Sequence, residues 1–239
     1  MDIAARIKSG RIMSSLSIAR LAEMAGVSAR TVSRVENRES DPTAQLAGRI
    51  LGALGLELGV ERTENPSAIA AARKIANPDF DGRIDGAAEA LVKAWRGWEL
   101  AEMLRFVGRT NRPSDRAGAR TVTCSGSWLE IATRLGDIDW ILTGGAAANE
   151  LIPVGGDTSP VFYVPNPDVA ARALTVDPHG RTVTLLPFNG ISEVGRRVLA
   201  ETWNAFDVPM ADEVQLVIDC NGVPNRGQEQ GEALLGLWV

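Results

Sequence analysis

The segment GVSARTVSRVEN, residues 26–37, constrains the fold of this chain more than any other stretch. Gly26 can adopt a backbone conformation with positive φ, and Ser28 can cap a helix that begins directly after it. Ser17 is a second capping residue upstream, and helical spacing gives the helix after it one apolar side, formed by Ile18, Leu21, Ala22 and Ala25. The pattern therefore predicts two short helices joined by a tight turn.

The second of these helices has an apolar side and a polar side. Val32 and Val35 face inward at helical spacing, which leaves small and hydrogen-bonding side chains outside. Two helices joined in this way, with the second exposing donors, are what a helix-turn-helix needs to reach base edges and phosphates. The expected DNA-binding residues are Ser28, Arg30, Thr31, Ser33, Arg34 and Asn37. An alternative interpretation is a solvated helix in a small bundle that contacts another protein.

Within that set the two arginines suit guanine edges, and the shorter polar side chains suit phosphates. Arg30 and Arg34 are long enough to reach bases, while the small Ala29 and Ser33 allow the helix to approach closely. A single module of this size buries too little surface for tight specific binding. We therefore expect a homodimer that reads two half-sites of an inverted repeat in double-stranded DNA.

The stretch from Leu16 to Leu58 resembles the Cro/C1 (XRE) family of DNA-binding domains. The landmarks that match are LS at 16–17, LAEMAGVS at 21–28, TVSRVENR at 31–38, and Pro42 opening a helix that ends at LGALGL. Arg11 lies where the family has a helix-1 arginine, whereas Ile18 replaces the glutamine with which the family often anchors a phosphate. The resemblance implies an all-α, lambda-repressor-like helix-turn-helix domain over residues 1–60.

The charge of the chain is unevenly distributed. The net charge of −5 argues against bulk electrostatic coating of nucleic acid, but residues 1–60 carry eight basic and six acidic residues, a net of +2. The N-terminus lacks the apolar core of a signal peptide, and no run of about 18 apolar residues occurs, so we expect a cytoplasmic protein without membrane contact. The two cysteines cannot form a disulfide framework or a short-spaced metal pair.

The remaining chain changes its period and predicts an α+β domain. Turn-forming residues concentrate at 59–67 and 76–86, so we place a linker at 61–86 and a second domain at 87–239, which we expect to supply dimerisation. GAAEALVKAWRGWELAEMLRFVG reads as one helix, buried between domains or against a second subunit. Further along, WILTGG, VFYVP, ALTVD and TVTLLPF read as strands, and AAANEL, ISEVGRRVLAETWNAF and RGQEQGEALLGLW read as helices.

The strand and Gly pair of WILTGG are also how polymerase-β-like nucleotidyltransferases begin their active site, which requires two carboxylates for metal ions. The next strand, VFYVPN, has no acid, and Asp137 and Asp139 precede the Gly pair. His179, the single histidine, lies in a DPHG turn, and CSGSW at 124–128 reads as a strand end followed by a capped helix. We expect no enzymatic activity, no catalytic residues, no metal and no cofactor.

Residues 126–235 resemble the C-terminal domain of AbiEi-type antitoxins from type IV toxin–antitoxin systems. The features shared in order are the TGGAA turn, the YV of an extended strand, the DPHG turn, an acid-containing strand VQLVIDC, and the closing RGQEQGEAL helix. Gly231 replaces a common alanine, and residues 221–224 differ from the family's pattern. The resemblance implies an autoregulating repressor that counteracts a nucleotidyltransferase toxin, and a degenerate nucleotidyltransferase-like fold would fit the missing carboxylates.

Two alternatives stay open for the whole chain. The second domain could instead bind a small molecule and regulate a DNA-binding domain of the same type. An active nucleotidyltransferase is the third interpretation, and it depends only on the Gly-Gly turn.

Overall fold

The chain forms two compact units, residues 1–61 and 62–239, in a computed structural model that describes residues 2–59, 64–78, 80, 84–155, 158–188 and 193–237. The first unit consists of four helices: α1 (Ile3–Met13), α2 (Ile18–Ala25), α3 (Ala29–Glu36) and α4 (Ala44–Ala53). Local signals set their starts, because Asp2, Ser17, Ser28 and Thr43 each accept a hydrogen bond from a backbone N–H of the first turn.

The core of the first unit is a small apolar cluster between these helices. It is formed by Ile7, Leu21, Ala22, Ala25, Val32, Val35, Ile50 and Leu51, with Ile18 packed at its edge. The inward positions predicted for α2 and α3 are therefore confirmed. The prediction that Pro42 opens the fourth helix was wrong, because Thr43 is the N-cap and α4 begins at Ala44.

The second unit combines helices with one mixed six-stranded sheet. Its strands are β1 (Arg120–Cys124), β2 (Ile141–Thr143), β3 (Val161–Val164), β4 (Arg181–Pro187), β5 (Trp203–Ala205) and β6 (Val208–Met210). They lie in the order β1-β4-β3-β2-β6-β5. β3 runs parallel to β4 and β2 runs parallel to β6, while the other neighbours are antiparallel.

The helices of the second unit pack around this sheet. They are α5 (Pro66–Ala76), α6 (Gly86–Ala94), α7 (Leu100–Thr110), α8 (Trp128–Leu135), α9 (Gly144–Leu151), α10 (Pro167–Ala173), α11 (Glu193–Ala200), α12 (Glu213–Gly222) and α13 (Arg226–Leu235), with a short 3-10 helix at Pro113–Asp115. α12 is the most central of them, because it contacts α7, α9, α13 and β2. No helix in the described parts of the chain is long and apolar enough to cross a membrane.

The structure corrects the predicted linker at 61–86. Residues 66–76 of that segment form α5, which is capped by Asn65 and contributes Ile69, Ala71 and Ala72 to the core of the second unit. A run of small apolar residues between turn signals explains the error, because the alanines of α5 bury well although they are weakly hydrophobic. Residues 60–63, 79 and 81–83 lie outside the described residues.

Four further predictions of secondary structure were wrong. The single helix over 86–108 is two, α6 and α7, because the chain turns at Gly97 with φ +91°. VQLVIDC forms part of α12 rather than a strand, and ALTVD begins with the last residue of α10 and continues without forming a strand. The helix predicted over 191–206 ends at residue 200, and the chain continues into β5; residues 191 and 192 at the start of that segment lie outside the described residues.

Candidate nucleic-acid interface

The turn between α2 and α3 depends on one glycine. Gly26 adopts φ +63°, and its backbone N–H closes the end of α2. A side chain added there would meet no atom within 4 Å, so the requirement for glycine is conformational and not steric. Two residues later Ser28 accepts a hydrogen bond from the Thr31 N–H at 3.1 Å and starts α3.

A buried ion pair fixes the C-terminal end of α3 against α1. Arg11 Nε donates to one carboxylate oxygen of Glu36 at 2.7 Å, and a second guanidinium nitrogen donates to the other at 2.8 Å. Arg11 also donates to the Leu16 carbonyl at 3.0 Å. The side chains are only 15% and 3% exposed, and the carboxylate raises the pKa of Arg11. Bidentate geometry of this kind orients both partners, so α3 is held in a fixed position.

The outward side of α3 carries the predicted contact residues. Arg30 and Arg34 are exposed and lie one turn apart, which places both on one side of the helix. Neither arginine has an acidic partner among the residues that the structure describes. Their charges are therefore available to a ligand of opposite sign, such as DNA.

The other four predicted residues lie around this pair. Ser28 and Thr31 bond each other through their hydroxyls at 2.7 Å at the start of α3, and Asn37 caps its end and donates weakly to Ser33 at 3.5 Å. Ser28 and Asn37 are exposed, whereas Thr31 and Ser33 are half-buried. The structure thus brings all six residues to one helix and its caps, and their contact with DNA stays a prediction.

Sequence reasoning missed the partner of Arg11. From the sequence, Glu36 was noted only among the six acidic residues of 1–60, although it directly follows the buried Val35. An acid at the inner edge of an amphipathic helix, together with an arginine in the preceding bundle helix, could have indicated the pair. Ile18, which replaces the family's phosphate-binding glutamine, is half-buried against the apolar cluster and has no polar group to offer DNA.

In the second unit the Gly-Gly turn has a packing explanation. Gly144 adopts φ +65°, and a Cβ on Gly145 would overlap the Gln230 side chain of α13. Gly145 therefore allows α9 to approach α13 closely, while Gly144 lies against Val161 of β3. Asp137 and Asp139 are exposed and precede β2, and His179 lies in the DPHG turn as predicted.

The acid predicted on a strand lies on α12 and is buried among donors. Asp219 accepts hydrogen bonds from Thr143 at 2.8 Å, from Gln215 at 2.8 Å and from Tyr163 at 3.3 Å, and it pairs with Arg116. This network joins α12 to β2 and β3. Burial raises the pKa of both buried thiols, Cys124 and Cys220. No group of three or more His, Cys, Asp and Glu side chains among the described residues is placed to hold a metal ion.

Comparison with known families assigns the first unit. The family model described as helix-turn-helix matches residues 7–60. The N-terminal unit is a helix-turn-helix domain. Such a domain supports a role in DNA binding and transcription regulation. Searches of curated proteins and of solved structures gave no match to the chain.

Proposed function

We propose that this chain is a sequence-specific transcriptional repressor that binds an inverted-repeat operator as a dimer. The observation that supports it best is the pair of exposed arginines on α3. The buried ion pair between Arg11 and Glu36 fixes the position of that helix. Arg30 and Arg34 read guanines in the major groove, and Thr31, Ser33 and Asn37 bond the phosphates.

Alanine substitution of the two arginines tests this role. Arg34→Ala weakens binding to the chain's own upstream region by about 1–3 kcal/mol and relaxes base preference at one position, measured by a mobility-shift assay with a salt titration. Arg6→Ala is the matched control and should leave binding unchanged. Arg6 is also an exposed arginine, but it belongs to α1 and lies beside Leu51 and Leu56 rather than on α3. Unchanged affinity in both Arg30→Ala and Arg34→Ala would show that α3 is not the helix that enters the groove.

The finer part of the proposal is that the repressor is the antitoxin of a type IV toxin–antitoxin system. Its support is the resemblance over residues 126–235, in which the turn at Gly144, the strand with Tyr163 and the closing α13 follow in the family's order. We infer that the second unit is not an enzyme, because the strand after the Gly-Gly turn, β3, carries no carboxylate for metal ions.

Two experiments address the antitoxin role. Expression of a nucleotidyltransferase encoded beside this chain should arrest growth, and co-expression of this chain should restore it. If growth stays arrested, the antitoxin proposal fails while the repressor remains. Incubation of the purified chain with labelled nucleoside triphosphates and Mg²⁺ should give no incorporation; clear incorporation would make it an enzyme.

A cleft in the second unit favours a second candidate function, regulation by a small molecule. It has a volume of about 590 Å³, within the size range of ligand pockets, and its walls combine carboxylates with apolar side chains. The lining residues are Arg73, Ala76, Asn77, Phe80, Leu100, Glu201, Asp212, Glu213 and Val214. If this function holds, the small-molecule fraction of a cell extract releases the chain from its operator.

A further inference from the structure

A cluster of aromatic side chains on α7 and the turn before it is partly exposed. Trp98 and Phe106 are each 44% exposed, and their rings meet edge-on with centroids 5.8 Å apart. Both rest on Trp95, which is only 7% exposed. Large aromatic side chains of this kind are enriched in protein interfaces and depleted on the remaining surface. We call Trp98, Glu102, Phe106 and Arg109 the α7 face.

Charge is arranged along the α7 face by sign. Glu102, Phe106 and Arg109 follow at spacings of four and three, so they share one exposed side, with the acid toward the start of the helix and the base toward its end. Neither Glu102 nor Arg109 forms an ion pair within 4 Å among the described residues, although Glu102 lies near enough to Arg105, and Arg109 near enough to Glu232, to interact electrostatically. Arg105 is engaged elsewhere, because it bonds Glu232 of α13 at 2.6 Å through two nitrogens.

We propose that the α7 face binds the α7 face of a second copy of this chain, with the two helices antiparallel. A two-fold axis between positions 105 and 106 places Glu102 opposite the partner subunit's Arg109, and the same pair forms again on the other side of the axis. Phe106 then lies next to the axis, one position from the partner subunit's Phe106, and Trp98 lies beside it. Antiparallel packing also sets the positive end of each helix dipole beside the negative end of the other.

The distribution of charge favours a second copy as the partner. An isologous interface must be complementary to itself, and a helix side that is acidic at one end, apolar in the middle and basic at the other end meets that condition only when it is reversed onto itself. The proposed function supplies an independent need for two copies, since one helix-turn-helix unit reads one half-site. Only this need for two copies rests on the proposed function.

Charge reversal tests the register directly. The wild-type chain sediments as a dimer at concentrations of about 1–100 µM, a range suited to a small interface. Glu102→Arg and Arg109→Glu each place like charges opposite each other twice, so each weakens dimerisation about ten-fold or more. The double variant Glu102→Arg/Arg109→Glu restores the dimer, because both pairs form again with the charges exchanged.

The double variant separates pairing from helix stability. In the wild type the acidic Glu102 lies toward the start of α7 and the basic Arg109 toward its end, which suits the helix dipole. The double variant reverses both charges, so of the four proteins it has the least stable α7 helix. Recovery of the dimer in that variant therefore reports pairing between subunits. Arg172→Glu is the matched control, since Arg172 is an exposed base in the last turn of α10 and should leave the dimer unchanged.

Each result decides the proposal. A monomeric wild type, single variants that remain dimeric, or a double variant that stays monomeric would overturn it, with circular dichroism used to verify that every variant is folded. Failure of the proposed function has a different signature: the dimer would persist and respond to charge reversal, while Arg30→Ala and Arg34→Ala would leave DNA binding unchanged.

Discussion

At the scale of single residues, the Arg11–Glu36 pair makes the strongest prediction for the DNA-binding unit. Glu36→Ala leaves the guanidinium of Arg11 largely buried without its carboxylate, which costs about 3 kcal/mol of unfolding free energy. The apolar double variant Arg11→Met/Glu36→Leu should recover most of this loss, because no unpaired charge remains. Urea unfolding measures both, and a loss below about 1 kcal/mol in Glu36→Ala would show that the pair contributes little.

Glu64 makes a prediction about pH. Burial raises the pKa of its carboxyl above the ordinary value, although nearby Arg116 partly opposes the shift, and one carboxyl oxygen is buried without a hydrogen-bond partner. The folded chain therefore holds this proton more tightly than the unfolded chain. The contribution of Glu64 to stability falls as the pH rises from the ordinary pKa through the raised one.

Glu64→Gln removes that loss, since the amide stays neutral. We expect the variant to be more stable than the wild type at about pH 8 and equal to it at about pH 4, measured as the difference in melting temperature between the two proteins. Taking the difference cancels the other carboxyls, such as Asp85 and Glu232, whose pKa values are lowered by their hydrogen bonds. A difference that does not change with pH would contradict the assignment.

At the scale of elements, local signals explain what the sequence could predict. The starts of α2 and α3 were predicted because the two N-caps, Ser17 and Ser28, and the turn residue Gly26 contact only residues close to them in sequence. α12 was missed because all but its first two residues are buried. Its polar residues Gln215, Asp219 and Asn221 therefore mark no exposed side, and a short stretch rich in apolar residues fits a strand equally well. Its one local signal was the cap, Asp212, which accepts a hydrogen bond from the Gln215 N–H.

The exposed positions of α3 were predicted more completely than the contacts that hold the helix in place. Arg30 and Arg34 could be named because an exposed helix side follows from periodicity alone. The pairing of Arg11 with Glu36, the network around Asp219 and the break at Gly97 depend on residues that the fold brings together or on a single backbone conformation. Such contacts have no periodic signature in one sequence.

A pair of glycine substitutions tests the packing of α7 against α12. A Cβ on Gly108 would lie 2.5 Å from Asn221 Cβ and from the Ile218 carbonyl oxygen, so Gly108→Ala must force the helices apart and should cost about 1–3 kcal/mol. In Gly48→Ala the new methyl meets nothing within 4 Å in the interior of α4, and the gain should be about 0.5–1 kcal/mol. Thermal unfolding that gave both variants the same sign would contradict this account.

At the scale of the whole molecule, the two units differ in the sign of their net charge. Residues 1–60 have a net charge of +2, while the rest of the chain carries 17 basic and 24 acidic residues, a net of −7. Only the first unit has the sign that attracts phosphates, so binding must come from a few placed contacts rather than from bulk attraction. Two copies of the unit on one operator are the simplest way to gain affinity from so few contacts.

The last prediction joins the α7 face to the operator. Phe106→Gln, which keeps the net charge, should weaken binding to a full inverted repeat by about 10²-fold or more while leaving binding to a single half-site unchanged, because only the coupling between two copies is lost. Arg34→Ala should weaken both, since it acts within each half-site. Fluorescence anisotropy with full and half operators measures the two affinities for each variant. If Phe106→Gln lowered the half-site affinity as well, the α7 face would act inside one subunit, and the dimer that reads the operator would have to form elsewhere.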